Sequence, residues 1–255
     1  MTTLATSPEA VMARLTLRQI LARRRALALA ALCALPVLLA LVSRAGETDG
    51  PGRLGTLEML LQVFGGLIVP VVLPLVALVI GTGVFGAEID DGTALFVLAK
   101  PVARWRIVLT RVLVAAAATA ALVVPCVLLS GLVAARGWDH WGVTTGFAAG
   151  AAVGALLYCA IFVAISLVTH RALVVGLGYV VMWEGMLSGL FGGTRLLSVR
   201  HYVAAVADRF SGTPPEMFNA QISPAAALVM GTAVGVGATL YAIRRLRRFE
   251  VREAV

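Results

Sequence analysis

Six apolar segments, each 18 to 27 residues long, restrict the fold of this 255-residue chain more than any other feature. A bilayer core of about 30 Å requires about 20 apolar residues in a helix, and these segments fit that length. They are rich in Ala and Leu and lack the alternation of polar and apolar residues that a membrane β-barrel requires. The sequence therefore predicts an all-α integral membrane protein with six transmembrane helices. The predicted spans cover about 26–43, 59–85, 112–135, 143–168, 172–190 and 225–243.

Composition supports a single transmembrane domain over residues 1–255. Hydrophobic residues make up 60% of the chain and charged residues only 13%, whereas about a quarter of the residues in soluble domains are charged. No repeat and no low-complexity linker indicates a second domain. The first apolar segment follows three arginines, as a signal peptide would, but it lacks a small-residue cleavage pattern, so we expect it to be retained.

The distribution of basic residues predicts the orientation, because positive charge near span ends stays cytoplasmic. With the N-terminus inside, 15 of the 21 Lys and Arg residues fall on the cytoplasmic side and 6 on the other. We therefore expect a multi-pass protein of the bacterial plasma membrane with both termini in the cytoplasm. Orientation and attraction to lipid headgroups explain the net charge of +8, and no nucleic-acid partner is needed.

Two amphipathic segments flank the spans. Residues 8–25 predict a helix lying on the cytoplasmic membrane surface. In the predicted outer loop, 192–223, apolar residues at helical spacing predict an interfacial helix on the outer face, with Ser198 as its N-cap. These apolar residues are Val199, Tyr202, Val203, Val206 and Phe210.

Glycines recur at every fourth position in three segments, a spacing that lets helix backbones approach closely in lipid. We expect most of these stripes to pack within the chain, although any of them could form a subunit interface. The stripes are Gly146, Gly150 and Gly154; Gly185, Gly189 and Gly193; and Gly231 and Gly235.

Several activities are excluded by what the sequence lacks. A phosphate-binding loop needs a lysine after its glycines, but the sole lysine, Lys100, precedes a proline. An intramembrane serine protease needs a base beside a serine such as Ser188, yet all three histidines fall in predicted loops. The sole asparagine, Asn219, rules out the paired Asn-Pro-Ala loops of aquaporins, and no metal-ligand spacing is present. The chain is therefore expected to be neither an enzyme nor a cofactor-binding protein.

Charge is concentrated in the loop over residues 86–106, which reads GAEIDDGTALFVLAKPVARWR and joins the second and third predicted spans. Asp91 is placed to cap a short helix, and Leu95 and Leu98 share one face of it. Pro101 disfavours helix at the residue before it and is suited to begin the next helix. The pattern predicts a short amphipathic helix on the cytoplasmic side, although an ordinary inner loop with balanced charges would carry the same residues.

These residues resemble those of ATP-binding-cassette (ABC) permeases of the type-2 export class. The similarity also includes six spans, a basic amphipathic N-terminus and a long outer loop, so it covers the whole chain. Ala103 stands where such permeases often have Ser, and Arg111 where they often have Lys. The residues that carry the resemblance are Glu88, Gly92-Thr93, Leu95, Leu98 and Pro101-Val102-Ala103-Arg104.

The resemblance implies that loop 86–106 contains a coupling helix that docks onto a separate ATP-hydrolysing subunit. That partner would bind ATP and Mg²⁺, while this chain, with a second copy or a homologous permease, would form the translocation pathway of an exporter. A six-span scaffold or assembly factor that transports nothing is the alternative, and the substrate is not indicated. The implied coupling residues are Glu88, Asp91, Gly92, Thr93, Leu95, Leu98, Pro101 and Arg104.

Glu184 is the one acid near the centre of a predicted span. An ionisable group at that depth is costly and is a candidate for the translocation pathway. A self-sufficient secondary transporter would be expected to have several such acids in broken helices. A structural role for Glu184 is the other interpretation, with the group satisfied by Tyr179, Tyr158, a backbone carbonyl or an arginine from a neighbouring helix.

Overall fold

The computed structural model describes residues 23–45, 53–90, 103–135, 140–169, 171–187, 194–212, 218, 220 and 222–253. Within these ranges all regular secondary structure is helical. Five of the described helices are long and apolar enough to cross a membrane. These five are Ala26–Ala45, Gly55–Val84, Arg104–Ala134, Trp141–Ser166 and Pro224–Arg247. The predicted all-α integral membrane fold is confirmed.

We number the helices α1 to α7 in chain order. Helix α2 contains a π-helical segment in its middle, and the described part of α5 ends in one. A short 3₁₀ turn at Thr194–Leu197 precedes α6. The bounds are α1 Arg23–Ala45; α2 Arg53–Val63, its π segment Phe64–Val72 and Leu73–Asp90; α3 Arg104–Ala134; α4 Trp141–Ser166; α5 Ala172–Gly178 with its π segment Tyr179–Leu187; α6 Val199–Ser211; and α7 Pro224–Glu253.

The described part of α5 ends at Leu187, three residues before the end of the span predicted over residues 172–190. It covers 16 described residues, which corresponds to about 24 Å at 1.5 Å per residue. The six-span count therefore stays a prediction. Helix α3, in contrast, is longer than its predicted span over residues 112–135. It begins at Arg104 and runs for 31 residues. Pro101 therefore does not begin this helix, contrary to the sequence-based expectation.

Helix α4 lies at the centre of the bundle. In the most apolar stretch of α4, 67% of the residues are buried. The same share is 22% in α1 and 17% in α7, so these two helices pack at the periphery. The rings of Tyr158 and Phe162 stack inside the bundle with centroids 5.9 Å apart. The hydroxyl of Thr119 on α3 lies 3.3 Å from the Cys159 sulfur, which sets α3 and α4 in register.

Helix α6 packs along the first half of α4, and glycine makes this contact possible. A Cβ atom on Gly146 would lie 2.6 Å from the carbonyl oxygen of Ala207, and one on Gly150 would lie 2.6 Å from that of Val203. The two helices are therefore antiparallel and in backbone contact, and the first glycine stripe packs within the chain. Because Val203 also contacts Gly154, the N-terminus of α6 lies beside the middle of α4.

The two predicted surface helices have different outcomes. The helix predicted in the 192–223 loop is present as α6, which packs against α4, and its placement on the outer face stays a prediction. Side-chain periodicity predicted the helix correctly, whereas the glycine stripe of a distant helix determines its location. The predicted surface helix at 8–25 lies outside the described residues, apart from the backbone of the first turn of α1.

Candidate functional site

The loop between α2 and α3 contains most of the implied coupling residues. Glu88 lies in the last turn of α2, and Arg104 is the first residue of α3, where its side chain is half-buried. The remaining residues of the set lie outside the described ranges, so their coupling role stays a prediction. They are Asp91, Gly92, Thr93, Leu95, Leu98 and Pro101.

A buried arginine joins the two helices that carry this loop. Arg111 of α3 is only 3% exposed, and its Nη1 donates a hydrogen bond of 2.8 Å to the carbonyl oxygen of Val84 in α2. Hydrogen bonds from a charged donor are among the stronger ones in proteins. The bond connects α2 and α3 about two turns from the ends that face the loop.

The start of α3 also carries an exposed aromatic residue. Trp105 is 46% exposed, and the guanidinium of Arg106 lies 5.2 Å from the centroid of its ring. This distance is within the range of a cation–π interaction. A tryptophan beside arginines is typical of the boundary between lipid and water.

Glu184 lies in the π segment of α5, is 2% exposed, and binds the N-terminus of α6. The backbone N–H of Val199 donates to Oε1 at 2.9 Å, and that of Arg200 approaches Oε2 at 3.4 Å. The hydroxyl of Ser198 donates to Oε2 at 2.6 Å, and that of Tyr179 donates to Oε1 at 3.3 Å. The carboxylate of Glu184 in α5 thus caps the first turn of α6.

Ser198 occupies the N-cap position of α6, as predicted, but it does not cap the helix with its own oxygen. Its hydroxyl donates to Glu184, and it lies 3.1 Å from Nδ1 of His201. Tyr202, one turn into α6, donates to the carbonyl oxygen of Leu196. The 3₁₀ turn, α6 and α5 are therefore joined through polar contacts.

The burial of this cap explains why an acid is present. The first N–H groups of a helix have no partner within the helix, and inside a packed bundle no water is available to bind them. Ser198 and Val199 are fully buried, so the first turn of α6 needs an acceptor from the protein. Glu184 supplies that acceptor, and its negative charge suits the positive end of the helix dipole.

The structure separates the two candidate regions. Glu184 lies at the level of the middle of α4, which is also the level of Thr119 on α3 through its contact with Cys159. Arg104 is 15 residues before Thr119, which corresponds to about 22 Å along α3. The loop and the cap are therefore distinct sites.

A family model described as "ABC-2 family transporter protein" matches residues 10–240 of the chain. The chain belongs to the ABC-2 transporter family. It is a multi-pass ABC-2 type permease subunit, as the resemblance in the sequence implied. A comparison with curated proteins gives no match.

Two contacts of this permease were missed from its sequence. The Val84 carbonyl that binds Arg111 and the N–H groups that bind Glu184 are backbone atoms, and any residue type could supply them. The charged residues themselves, Arg111 and Glu184, could be recognised in the sequence as unusual, because both lie next to or within long apolar segments. The sequence identified the charges and one side-chain partner, Tyr179, but not the backbone partners.

Proposed function

We propose that this permease is the membrane subunit of an ABC exporter, forms its translocation pathway, and is driven by a separate subunit that binds ATP and Mg²⁺. The loop between α2 and α3 is the docking surface for that subunit. Two copies of the chain, or this chain and a homologous permease, complete the pathway. The complex lies in the bacterial plasma membrane with both termini of the permease in the cytoplasm.

The observation that carries the proposal, beyond family membership, is the Arg111–Val84 hydrogen bond. A docking loop can transmit movement only if the helices on either side of it move together. The buried guanidinium supplies that connection about two turns from the point where each helix meets the loop. Because coupling free energy is reciprocal, a loop that responds to nucleotide must also pass the effect of substrate back to the partner.

Glu184 has a structural role within this proposal. Its carboxylate faces the first turn of α6, and its 2% exposure leaves little surface for a passing solute. It acts by fixing α6 against α4 and α5, which shapes the membrane-embedded half of the bundle. A direct role of Glu184 in translocation stays a prediction.

The docking proposal is tested with a double substitution in the loop and a matched control. Leu95→Ala with Leu98→Ala removes two apolar side chains three residues apart, and apolar anchors dominate contact energy at interfaces. We expect the variant to insert into the membrane normally but to lose most of the co-purifying ATPase subunit. Leu38→Ala with Leu41→Ala changes the same residue type at the same spacing on exposed positions of α1. Equal ATPase recovery from both variants would place the docking surface elsewhere in the chain.

A further inference from the structure

An apolar groove of about 650 Å³ opens on one side of the bundle. Helices α3, α6 and α7 form its walls, and α4 forms its floor. Representative lining residues are Leu109, Leu113, Val153, Leu156, Phe210 and Leu240. The groove is of the size that proteins use for small ligands, and its lining is almost entirely hydrocarbon.

The groove is long and narrow because α7 packs loosely and presents small residues to it. Its lining on α7 extends from Pro224 to Leu240, a length of about 24 Å. An acyl chain in one leaflet spans about half of the ~30 Å bilayer core. One such chain therefore fits within the groove along its axis. Gly231 and Gly235 have no side chains to project into the groove, and Leu157 of α4 lies against both of them.

One end of the groove is basic. Arg209, in the last turn of α6, lines the groove at the same end as Pro224, the first residue of α7. Its acidic neighbour, Asp208, accepts a hydrogen bond of 3.1 Å from the backbone N–H of Ala220. The carboxylate is thereby engaged with the segment that leads into α7. An apolar channel that ends at an exposed arginine matches an acyl chain that ends at a phosphate.

We propose that this groove binds an anionic phospholipid of the bilayer, with an acyl chain between α3, α4 and α7 and the headgroup phosphate on Arg209. The lipid fills the space that the loose packing of α7 leaves open. A second copy of the chain would fit a flatter surface better. The exposed row on α5, which includes Leu173, Val174, Leu177 and Val181, provides such a surface.

The test measures lipid retention by native mass spectrometry of the full-length permease from nanodiscs that contain equal phosphatidylglycerol and phosphatidylcholine. We expect about one retained lipid per chain and about a fivefold preference for phosphatidylglycerol, because one arginine attracts its net negative headgroup, whereas the choline ammonium offsets the phosphate charge of phosphatidylcholine. Arg209→Ala should abolish the preference. Arg44→Ala, which removes an exposed charge at the end of α1, should preserve it.

A second pair of variants tests the apolar part of the site. Val236 lines the groove and is 57% exposed, whereas Val229 on the same helix is 62% exposed and lies outside the lining. Val236→Trp should lower retention of both lipids about tenfold, which corresponds to the loss of about two buried CH₂ groups, and Val229→Trp should not. Equal retention by the two variants, or a fall in dimer mass with lipid unchanged for Val236→Trp, would overturn the proposal.

Discussion

The Nη1 atom of Arg111 lies 2.8 Å from the carbonyl oxygen of Val84, so a buried guanidinium connects α3 to the end of α2. Each helix continues directly into the loop that carries the proposed docking helix. The contact is intramolecular and needs no bound partner. It can therefore be tested separately from any transport activity.

Replacing Arg111 should destabilise the permease. Arg111→Met retains most of the side-chain length but removes a hydrogen bond from a charged donor, which contributes about 2 kcal/mol. We expect a lower unfolding midpoint in detergent, with partial recovery in Arg111→Lys. Arg244→Met, at an exposed position in α7, serves as the control and should leave the midpoint unchanged. Identical midpoints for the two Met variants would contradict the role assigned to the buried contact.

The glycine contacts between α4 and α6 should tolerate no added methyl group. Gly146→Ala and Gly150→Ala each place a Cβ 2.6 Å from a backbone oxygen, which cannot rotate away as a side chain could. We expect each to lower stability by about 1–3 kcal/mol. At Gly237 a Cβ meets nothing within 4 Å, so Gly237→Ala should be neutral or slightly stabilising through helix propensity. Thermal unfolding of the purified variants measures the difference.

Both termini should be cytoplasmic. The prediction rests on the 15 of 21 basic residues that fall on that side of the membrane. Reporter fusions at the two ends should give a cytoplasmic signal, and an insertion at the exposed Gly212, between α6 and α7, should give the opposite one. An external signal from only one terminus would mean an odd number of crossings.

The long helices could be predicted because their signal is local. A run of about 20 apolar residues has few alternatives to a membrane helix, and the spacing of Val199, Val203 and Phe210 predicted α6 in the same way. The span predicted over residues 172–190 is described as far as Leu187, so its full length stays a prediction.

The location of α6 could not be predicted, because it depends on contacts between distant parts of the chain. Gly146 and Ala207 are 61 residues apart in sequence, and nothing near either residue indicates the other. Glu184 was identified as unusual because acids in apolar segments are costly. Of the partners considered for Glu184, Tyr179 is observed, whereas the backbone N–H groups at the start of α6 were not among them.

Removing the acid at Glu184 should destabilise α6 more than removing any single donor. Glu184→Ala leaves the N–H of Val199 and the hydroxyl of Ser198 without their acceptor, and each buried unsatisfied group costs about 1–3 kcal/mol. Ser198→Ala removes one donor while the other hydrogen bonds to the carboxylate persist, so it should cost about 1 kcal/mol. Limited proteolysis between α5 and α7 should show faster cleavage in the Glu184→Ala variant.

Glu184→Gln distinguishes the structural role from a direct role in translocation without knowledge of the substrate. Glutamine keeps the volume and one carbonyl acceptor but loses the second acceptor and the charge at the start of α6. If Glu184 caps α6, the unfolding midpoints should rise in the order Ala, Gln and wild type, and Glu184→Asp should recover part of the loss. If the residue serves only the transport path, all of these variants should unfold at the wild-type midpoint. We expect the graded series, because the hydrogen bonds of 2.6 Å and 2.9 Å to Ser198 and Val199 bind the carboxylate to the protein itself.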